Sequence, residues 1–144
     1  MSAAEPRQFV DTNVLIYAHD PSAGVKHTEA KRLLRELWDT RSGCLSTQVL
    51  QEFYVNVTRK VARPLAPELA AQVITDLAEW EVHRPTVSDV VEAIRLHVRH
   101  QISFWDALIV IGAGQLGCKT LWSEDLNEGQ SYGGVAVRNP FAQD

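Results

Sequence analysis

The sequence of 144 residues contains few of the residues that mark specialised classes of chain. Its two cysteines are too few for a disulfide framework, and they cannot form a four-ligand zinc site without histidines nearby. Eight glycines and six prolines exclude collagen-like and low-complexity chains. We therefore expect Cys44 and Cys118 to be two buried thiols in a reducing cytosol.

Long apolar runs are also missing. The longest strongly apolar stretch, Ala107 to Ala113, is much shorter than the roughly 20 residues that a membrane-spanning helix needs. The segment from Met1 to Arg7 lacks the apolar core of a signal peptide. These two features predict a soluble, cytoplasmic protein with no membrane partner.

An excess of positive charge is missing as well. The chain has 14 lysines and arginines against 18 aspartates and glutamates, which gives a formal net charge of −4. This balance argues against a wholly basic protein that coats nucleic acid. It allows carboxylates to cluster in one pocket, where they would bind divalent cations that in turn contact phosphates.

Short apolar runs alternate with helical stretches along the chain. The predicted strands are Gln8–Val10, Gly43–Ser46, Glu81–Arg84, Thr120–Ser123 and Val135–Val137. Such alternation is typical of an α/β fold with a mostly parallel sheet, here of about five strands. Because no repeat or linker divides the chain, we expect a single domain over residues 1–144, with a core at about 7–140.

Two predicted helices differ in their apolar pattern. Residues 104–116, which follow the cap residue Ser103, are apolar almost all round. A helix of this kind belongs in the middle of a domain. The preceding helix starts at Thr86 or Ser88, and its apolar residues share one side: Val87, Val91, Ile94 and Val98.

Four acidic residues stand out by their positions. Ligands of open parallel sheets bind beyond the carboxyl ends of the strands. Asp11 directly follows the first predicted strand, and Asp125 lies just past the fourth. Glu52 stands among apolar residues, and Asp106 opens the most apolar helix of the chain.

Each of these acids also has a purely structural interpretation. Asp11 could cap a helix, and Asp106 could stabilise a helix N-terminus through the helix dipole. Asp125 could be a turn residue, and Glu52 could be exposed. Together these interpretations weaken, because an acid in the first turn of a buried helix must be paired, capped or bound to a cation. Mg²⁺ and Mn²⁺ prefer such oxygen ligands.

Four motifs, in order, resemble those of the PIN domain family. They are Phe9–Leu15, Gln51–Tyr54, Ser103–Ile109 and Leu121–Leu126, and their acids lie 41, 54 and 19 residues apart. The resemblance runs from about Arg7 to Pro140 and implies one PIN domain, a three-layer α/β/α sandwich. It also implies an endoribonuclease that depends on Mg²⁺ or Mn²⁺. Among PIN domains, the short chain is most similar to the VapC-type toxins of toxin–antitoxin systems.

The resemblance implies roles for particular residues. Asp11, Glu52 and Asp106 correspond to the core metal ligands. Asp125 corresponds to a fourth acid that binds a metal directly or through water, although its neighbour Glu124 is an alternative. Two further residues resemble polar side chains that line the site: Asn13 and Ser123. The implied reaction is metal-assisted hydrolysis of RNA that leaves 5′-phosphate and 3′-hydroxyl ends.

The resemblance implies partners as well. VapC-type toxins usually act as homodimers and are inhibited by a VapB-type antitoxin whose tail enters the acidic groove. A basic cluster at the end of the helix that carries Glu52 is either a solvated face or a contact for the RNA backbone; it comprises Arg59, Lys60 and Arg63.

Two other functions fit parts of the pattern. A haloacid-dehalogenase-like phosphatase also has an aspartate after its first strand, but it needs a second acid two residues later, where this chain has Asn13. A non-catalytic PIN-type scaffold or binding protein is the other alternative. The full set of four acids argues against it, because a lost activity usually leaves an acid missing.

Overall fold

Strands and helices alternate over residues 6–142, which are the residues that the computed structural model describes. The elements are β1 (Gln8–Val10), α1 (Thr12–Ala18), α2 (Val25–Thr40), β2 (Gly43–Ser46), α3 (Thr47–Val57), α4 (Pro67–Leu77), β3 (Glu81–His83), α5 (Val87–His100), α6 (Phe104–Gln115), β4 (Thr120–Trp122), β5 (Ser131–Tyr132) and β6 (Val135–Arg138). A single 3₁₀ turn, Pro21–Ala23, separates α1 from α2.

The sheet has the order β3-β2-β1-β4-β6-β5. All neighbours pair in parallel except β5 and β6, so the prediction of a mostly parallel α/β sheet is confirmed. The expected number of about five strands is one too few, because the described chain forms six. The missed strand, β5, has two residues and turns back through Gly133 and Gly134, both at positive φ. Two residues are too short to carry an alternating apolar pattern.

Helices cover both faces of the sheet. Helix α6 packs over β2, β3, β4 and β6, and α5 packs against α6. Helices α1 to α4 pack with one another and, through α2 and α3, against β2. The prediction that the apolar helix lies centrally is confirmed, since six residues of α6 are buried: Ala107, Leu108, Ile109, Val110, Gly112 and Ala113.

Helix α5 turns its apolar side outward. Val87 is 83% exposed and Val98 is 66% exposed, whereas Ala93, on the opposite side, is fully buried against α6. The one-sided apolar pattern of this helix therefore marks a surface of the described fold and does not face its core.

The caps of two helices position the site. Asp11 caps α1 directly after β1, and Ser46 caps α3 at the end of β2. Both helices therefore begin at the carboxyl edge of the parallel strands. Cys44 and Cys118 are buried free thiols, as predicted. Within the described part of the chain, no helix combines the length and the hydropathy that crossing a bilayer requires.

Candidate functional site

Asp11 lies at the centre of the carboxyl edge, because β1 is flanked by β2 and β4. Its side chain is only 4% exposed. One carboxylate oxygen, Oδ1, accepts the backbone N–H of Thr12 at 2.7 Å, and the other, Oδ2, accepts the hydroxyl of Ser123 at 2.8 Å. The structural role that the sequence suggested, a helix cap, is thus present, and it orients the carboxylate.

The electrostatic surroundings of Asp11 are unusual for a cap. The pKa of Asp11 is raised to about 7, mainly by burial and also by the nearby carboxylates of Asp106 and Asp125, against the lowering effect of its two hydrogen bonds. Among residues 6–142, no salt bridge reaches any of the four predicted acids. The negative charge at this edge is therefore left without a protein counter-charge.

Glu52 is held by two neighbours. It is half-buried in α3, where Oε1 accepts the hydroxyl of Thr12 at 2.7 Å and Oε2 accepts Nε2 of Gln48 at 3.3 Å. The same Gln48 nitrogen donates to the carbonyl of Trp105 at 3.2 Å. Gln48 therefore links the helix of Glu52 to the first turn of α6. Gln48 is not among the predicted site residues, although its place four residues before Glu52 puts both on one helix face.

Asp106 stands in the first turn of α6, where its backbone N–H donates to the Oγ of the cap residue Ser103 at 3.0 Å. Its side chain is half-buried. Burial raises the pKa of Asp106, and the charges of Asp125 and Glu52 raise it as well. The charge of Asp106 therefore interacts with those of the three other acids, Asp11, Glu52 and Asp125.

The alternative between Asp125 and Glu124 has a geometric answer in the loop after β4. Asp125 accepts Nδ2 of Asn13 at 3.1 Å and interacts with Asp11 and Asp106. Glu124 points elsewhere, because its two oxygens accept Tyr17 Oη at 2.7 Å and Lys26 Nζ. The structure thus places Asp125, and not Glu124, beside the other acids.

The two predicted lining residues hold this loop. Ser123 is completely buried, and its oxygen, besides donating to Asp11, accepts the backbone N–H groups of Asp125 at 3.2 Å and Leu126 at 3.4 Å. Asn13 accepts the backbone N–H of Glu124 through Oδ1 at 3.3 Å. Both side chains therefore connect α1 and β1 to the segment that carries Asp125.

The predicted RNA-contacting residues lie apart from the acids. Arg59, Lys60 and Arg63 are exposed in the turn that follows α3. Glu52 lies five residues before the end of α3, so at 1.5 Å per residue the turn begins roughly 8 Å beyond it along the helix axis. The fold thus brings the four acids together and leaves the basic cluster at the far end of α3.

The acids match a divalent cation in kind. Carboxylate oxygens are the ligands that Mg²⁺ and Mn²⁺ prefer. A cation would offset the burial and, to a smaller extent, the mutual repulsion that raise the pKa values of Asp11 and Asp106. Within residues 6–142, no three Asp, Glu, His or Cys side chains already stand close enough to hold an ion. Both oxygens of Glu52, for example, are engaged by Thr12 and Gln48. The chemistry of the donor set therefore fits the ion.

Solved structures share this fold. VapC20 of Mycobacterium tuberculosis, described as a sarcin-ricin loop cleaving toxin, is 24% identical, with a TM-score of 0.65 over 82% of this chain and 91% of that chain. A toxin–antitoxin complex from Klebsiella pneumoniae is 18% identical, with a TM-score of 0.68 over 93% and 98% of the two chains. The DNA-bound VapBC of Salmonella typhimurium is 18% identical, with a TM-score of 0.65 over 94% and 99%.

At these identities the structural likeness shows a common fold. No curated protein sequence matches the chain. The family described as PIN domain matches residues 9–127, a range that contains all four acids and most of the chain. The chain therefore belongs to the PIN domain family.

Proposed function

We propose that this chain is a cytoplasmic, metal-dependent endoribonuclease and the toxin of a VapBC-type toxin–antitoxin pair, formed by one PIN domain over residues 1–144. The observation that carries the proposal is that four carboxylates lie at the carboxyl edge of a parallel sheet, where burial and neighbouring charges raise the pKa of Asp11 to about 7. A buried acid that faces other acids calls for a cation. The four acids are Asp11, Glu52, Asp106 and Asp125.

A bound Mg²⁺ or Mn²⁺ would supply Lewis-acid activation of water and would screen the charge of the phosphodiester. The four acids would hold the ion. Ser123 and the backbone of Thr12 keep the carboxylate of Asp11 in one orientation, and Asn13 does the same for Asp125. Hydrolysis would leave 5′-phosphate and 3′-hydroxyl ends.

RNA is the substrate class that we propose. VapC20, which shares the fold, is described as a toxin that cleaves the sarcin-ricin loop. In this chain, Arg59, Lys60 and Arg63 are exposed, and within the described residues none of them forms a salt bridge. Cations of this kind are available for RNA phosphates, and each phosphate contact would make binding weaker at higher salt.

The partner that we propose is a VapB-type antitoxin. Two of the structural neighbours are toxin–antitoxin complexes. The four acids form no salt bridge within residues 6–142, so a basic segment of an antitoxin would compete with the cation and the substrate for the same groove. Inhibition of this kind would depend mainly on the attraction between the basic segment and the four acids.

We further propose that the chain forms a homodimer through the exposed side of α5. Its apolar residues are spaced by four, three and four positions, which is the spacing of a helix–helix seam: Val87, Val91, Ile94 and Val98. Ile94→Glu should therefore convert a dimer into a monomer in sizing experiments at micromolar concentration, whereas Arg99→Glu, on the flank of α5, should not. A wild-type protein that is strictly monomeric with or without metal would contradict the pairing.

The test of the activity uses purified protein and a mixed RNA pool with EDTA, Mg²⁺ or Mn²⁺. Asp106→Asn should lower metal-dependent cleavage by about 100-fold or more, because it removes a ligand charge from the proposed metal site. Glu68→Gln is the matched control, since Glu68 is also an acid in the first turn of a helix, α4. This variant should cleave RNA as the wild type does.

Full cleavage by Asp106→Asn would contradict the assignment of the site. If neither protein cleaves RNA and calorimetry detects no Mn²⁺ binding, the chain is a non-catalytic PIN-type scaffold.

A further inference from the structure

One of the four acids, Asp125, differs from the others in the structural element that carries it. Asp11 follows the central strand, and Glu52 and Asp106 lie on helices. Asp125 instead lies in residues 123–130, which form neither helix nor strand between β4 and β5. Backbone hydrogen bonds tie the two ends of this loop to β6, from Ser123 to the carbonyl of Arg138 and from Gly129 to the carbonyl of Val137. Between these ends, the backbone N–H of Asp125 donates to the side-chain oxygen of Ser123, so the position of Asp125 depends on side-chain contacts.

Helix α1 supplies two of these contacts from one face. Asn13 and Tyr17 are four residues apart, so their side chains are neighbours on the helix. Asn13 donates to Asp125 at 3.1 Å, and Tyr17 Oη donates to Glu124 Oε1 at 2.7 Å. One helix face thus holds two consecutive acids of the loop.

The first turn of α2 supplies a third contact. Lys26 Nζ donates to the second oxygen of Glu124, whose side chain is only 24% exposed. The same ammonium lies 5.1 Å from the centre of the Tyr17 ring and 5.7 Å from that of Phe141. The rings of Tyr17 and Phe141 meet edge to face at 5.2 Å. A charge pair that aromatic rings partly shield from water is stronger than an exposed one.

We propose that Tyr17, Lys26 and Glu124, here named the Glu124 clamp, are positioning residues that set the affinity of the site for Mn²⁺ or Mg²⁺. Glu124 is adjacent to Asp125, so a clamp on its carboxylate restricts the backbone from which Asp125 projects. Without the clamp, Asp125 would sample positions away from Asp11 and Asp106. This inference rests on the proposed metal site and adds residues that touch neither the ion nor the substrate.

The experiment measures Mn²⁺ binding by calorimetry, with no RNA present. Tyr17→Phe and Lys26→Met should each weaken the Kd for Mn²⁺ by roughly tenfold, the low end of what loss of an outer contact costs a metal site. Lys26→Arg keeps the charge and should restore most of the affinity. Lys31→Met is the matched control, because Lys31 is an exposed lysine of α2 that forms no salt bridge within the described residues.

A second arm separates positioning from general destabilisation. In an Asp125→Asn background, Lys26→Met should no longer change the Kd for Mn²⁺, because the clamp acts only through Asp125. A general loss of stability would weaken binding in both backgrounds. Thermal unfolding in EDTA verifies that each variant is folded, and Glu124→Gln, which can keep the contact with Tyr17, replaces any variant that is not.

The outcomes are distinct. The clamp is refuted if Tyr17→Phe and Lys26→Met bind Mn²⁺ as tightly as the wild type, or if Lys26→Met weakens binding equally when Asp125 is replaced by Asn; in both cases the proposed nuclease stands. A wild-type protein that binds no Mn²⁺ refutes the metal site and the clamp together.

Discussion

Two buried aspartates in this molecule show opposite electrostatics. Asp11, in the acidic site, is 4% exposed, and Asp89, in the first turn of α5, is 5% exposed. Both belong to the first residues of a helix and both accept hydrogen bonds. Yet the pKa of Asp11 is raised to about 7, whereas the pKa of Asp89 is lowered.

The difference lies in what surrounds each carboxylate. Burial would raise the pKa of Asp89, but hydrogen bonds from the backbone and side chain of Thr86 and from His83 outweigh it. The distances are 2.9 Å from the Thr86 backbone N–H and 3.0 Å from His83 Nε2. Asp11 has two donors but faces two further acids. A buried acid with sufficient partners stabilises a fold, whereas a buried acid among other acids is the feature on which the proposed metal site rests.

The largest expected effect comes from Asp11→Asn. It should lower cleavage by about 100-fold or more, since it removes a charge from the proposed metal site at nearly constant shape. In EDTA it should also raise Tm, because a charge that the folded state disfavours is gone. Cleavage assays with Mn²⁺ measure the loss of activity, and thermal unfolding at pH 8 in EDTA measures the change in Tm. Full activity, or a lower Tm, would contradict the contrast with Asp89.

The matched change, Asp89→Asn, should have the reverse pattern. It leaves cleavage near the wild-type level and lowers the free energy of unfolding by about 1–3 kcal/mol, because His83 and the start of α5 lose a charged partner. Urea unfolding at pH 7 measures the loss. Glu92→Gln, an exposed acid of the same helix, is the control and should change stability little. A large loss of cleavage at unchanged stability would refute the structural role of Asp89.

The pH dependence sharpens the same contrast. Since the folded state lowers the pKa of Asp89, its contribution to stability is complete above the ordinary value of 3.8 and disappears as pH falls through the lowered pKa. The gap in unfolding free energy between the wild type and Asp89→Asn should therefore close as pH falls below about 4. Urea unfolding of both proteins between pH 6 and pH 3 measures this difference. A difference in unfolding free energy that stayed constant over this range would contradict the prediction.

The smallest effects come from the hydroxyls that serve each aspartate. Ser123→Ala should lower cleavage by about tenfold, because the donor to Asp11 is lost and the pKa of Asp11 rises further. Thr86→Ala should lower stability by about 1 kcal/mol through loss of the cap of α5 and should leave cleavage unchanged. Cleavage assays and urea unfolding of both variants test the pair. If the two variants changed cleavage and stability to the same extent, the proposed difference between the roles of Asp11 and Asp89 would be contradicted.

Much of the fold follows from local patterns in the sequence. Alternating strands and helices predicted the parallel sheet, and Ser103 predicted the start of α6. Asp11 comes directly after a short apolar strand, and this position alone predicts that it lies at the carboxyl edge of the sheet. These features are readable because each depends on residues within a few positions of one another.

Other features escape such patterns. Tyr17 and Lys26 contact Glu124 across about a hundred residues of chain, and hydrogen bonds at that separation leave no periodic signal. Nor does periodicity distinguish an apolar helix side that meets the core from one that meets water, as α5 demonstrates. Gln48 combines both kinds of contact. Its spacing from Glu52 is local and visible in the sequence, but its hydrogen bond to the carbonyl of Trp105 is not.

The ends of the sheet have a consequence for assembly. Its two edge strands are short, with three residues in β3 and two in β5. A strand of that length offers few free backbone groups to another chain, so edge-to-edge growth into larger sheets or fibrils has little to build on. The fold thereby directs copies of itself away from β-aggregation and leaves encounters between them to the outer faces of its helices.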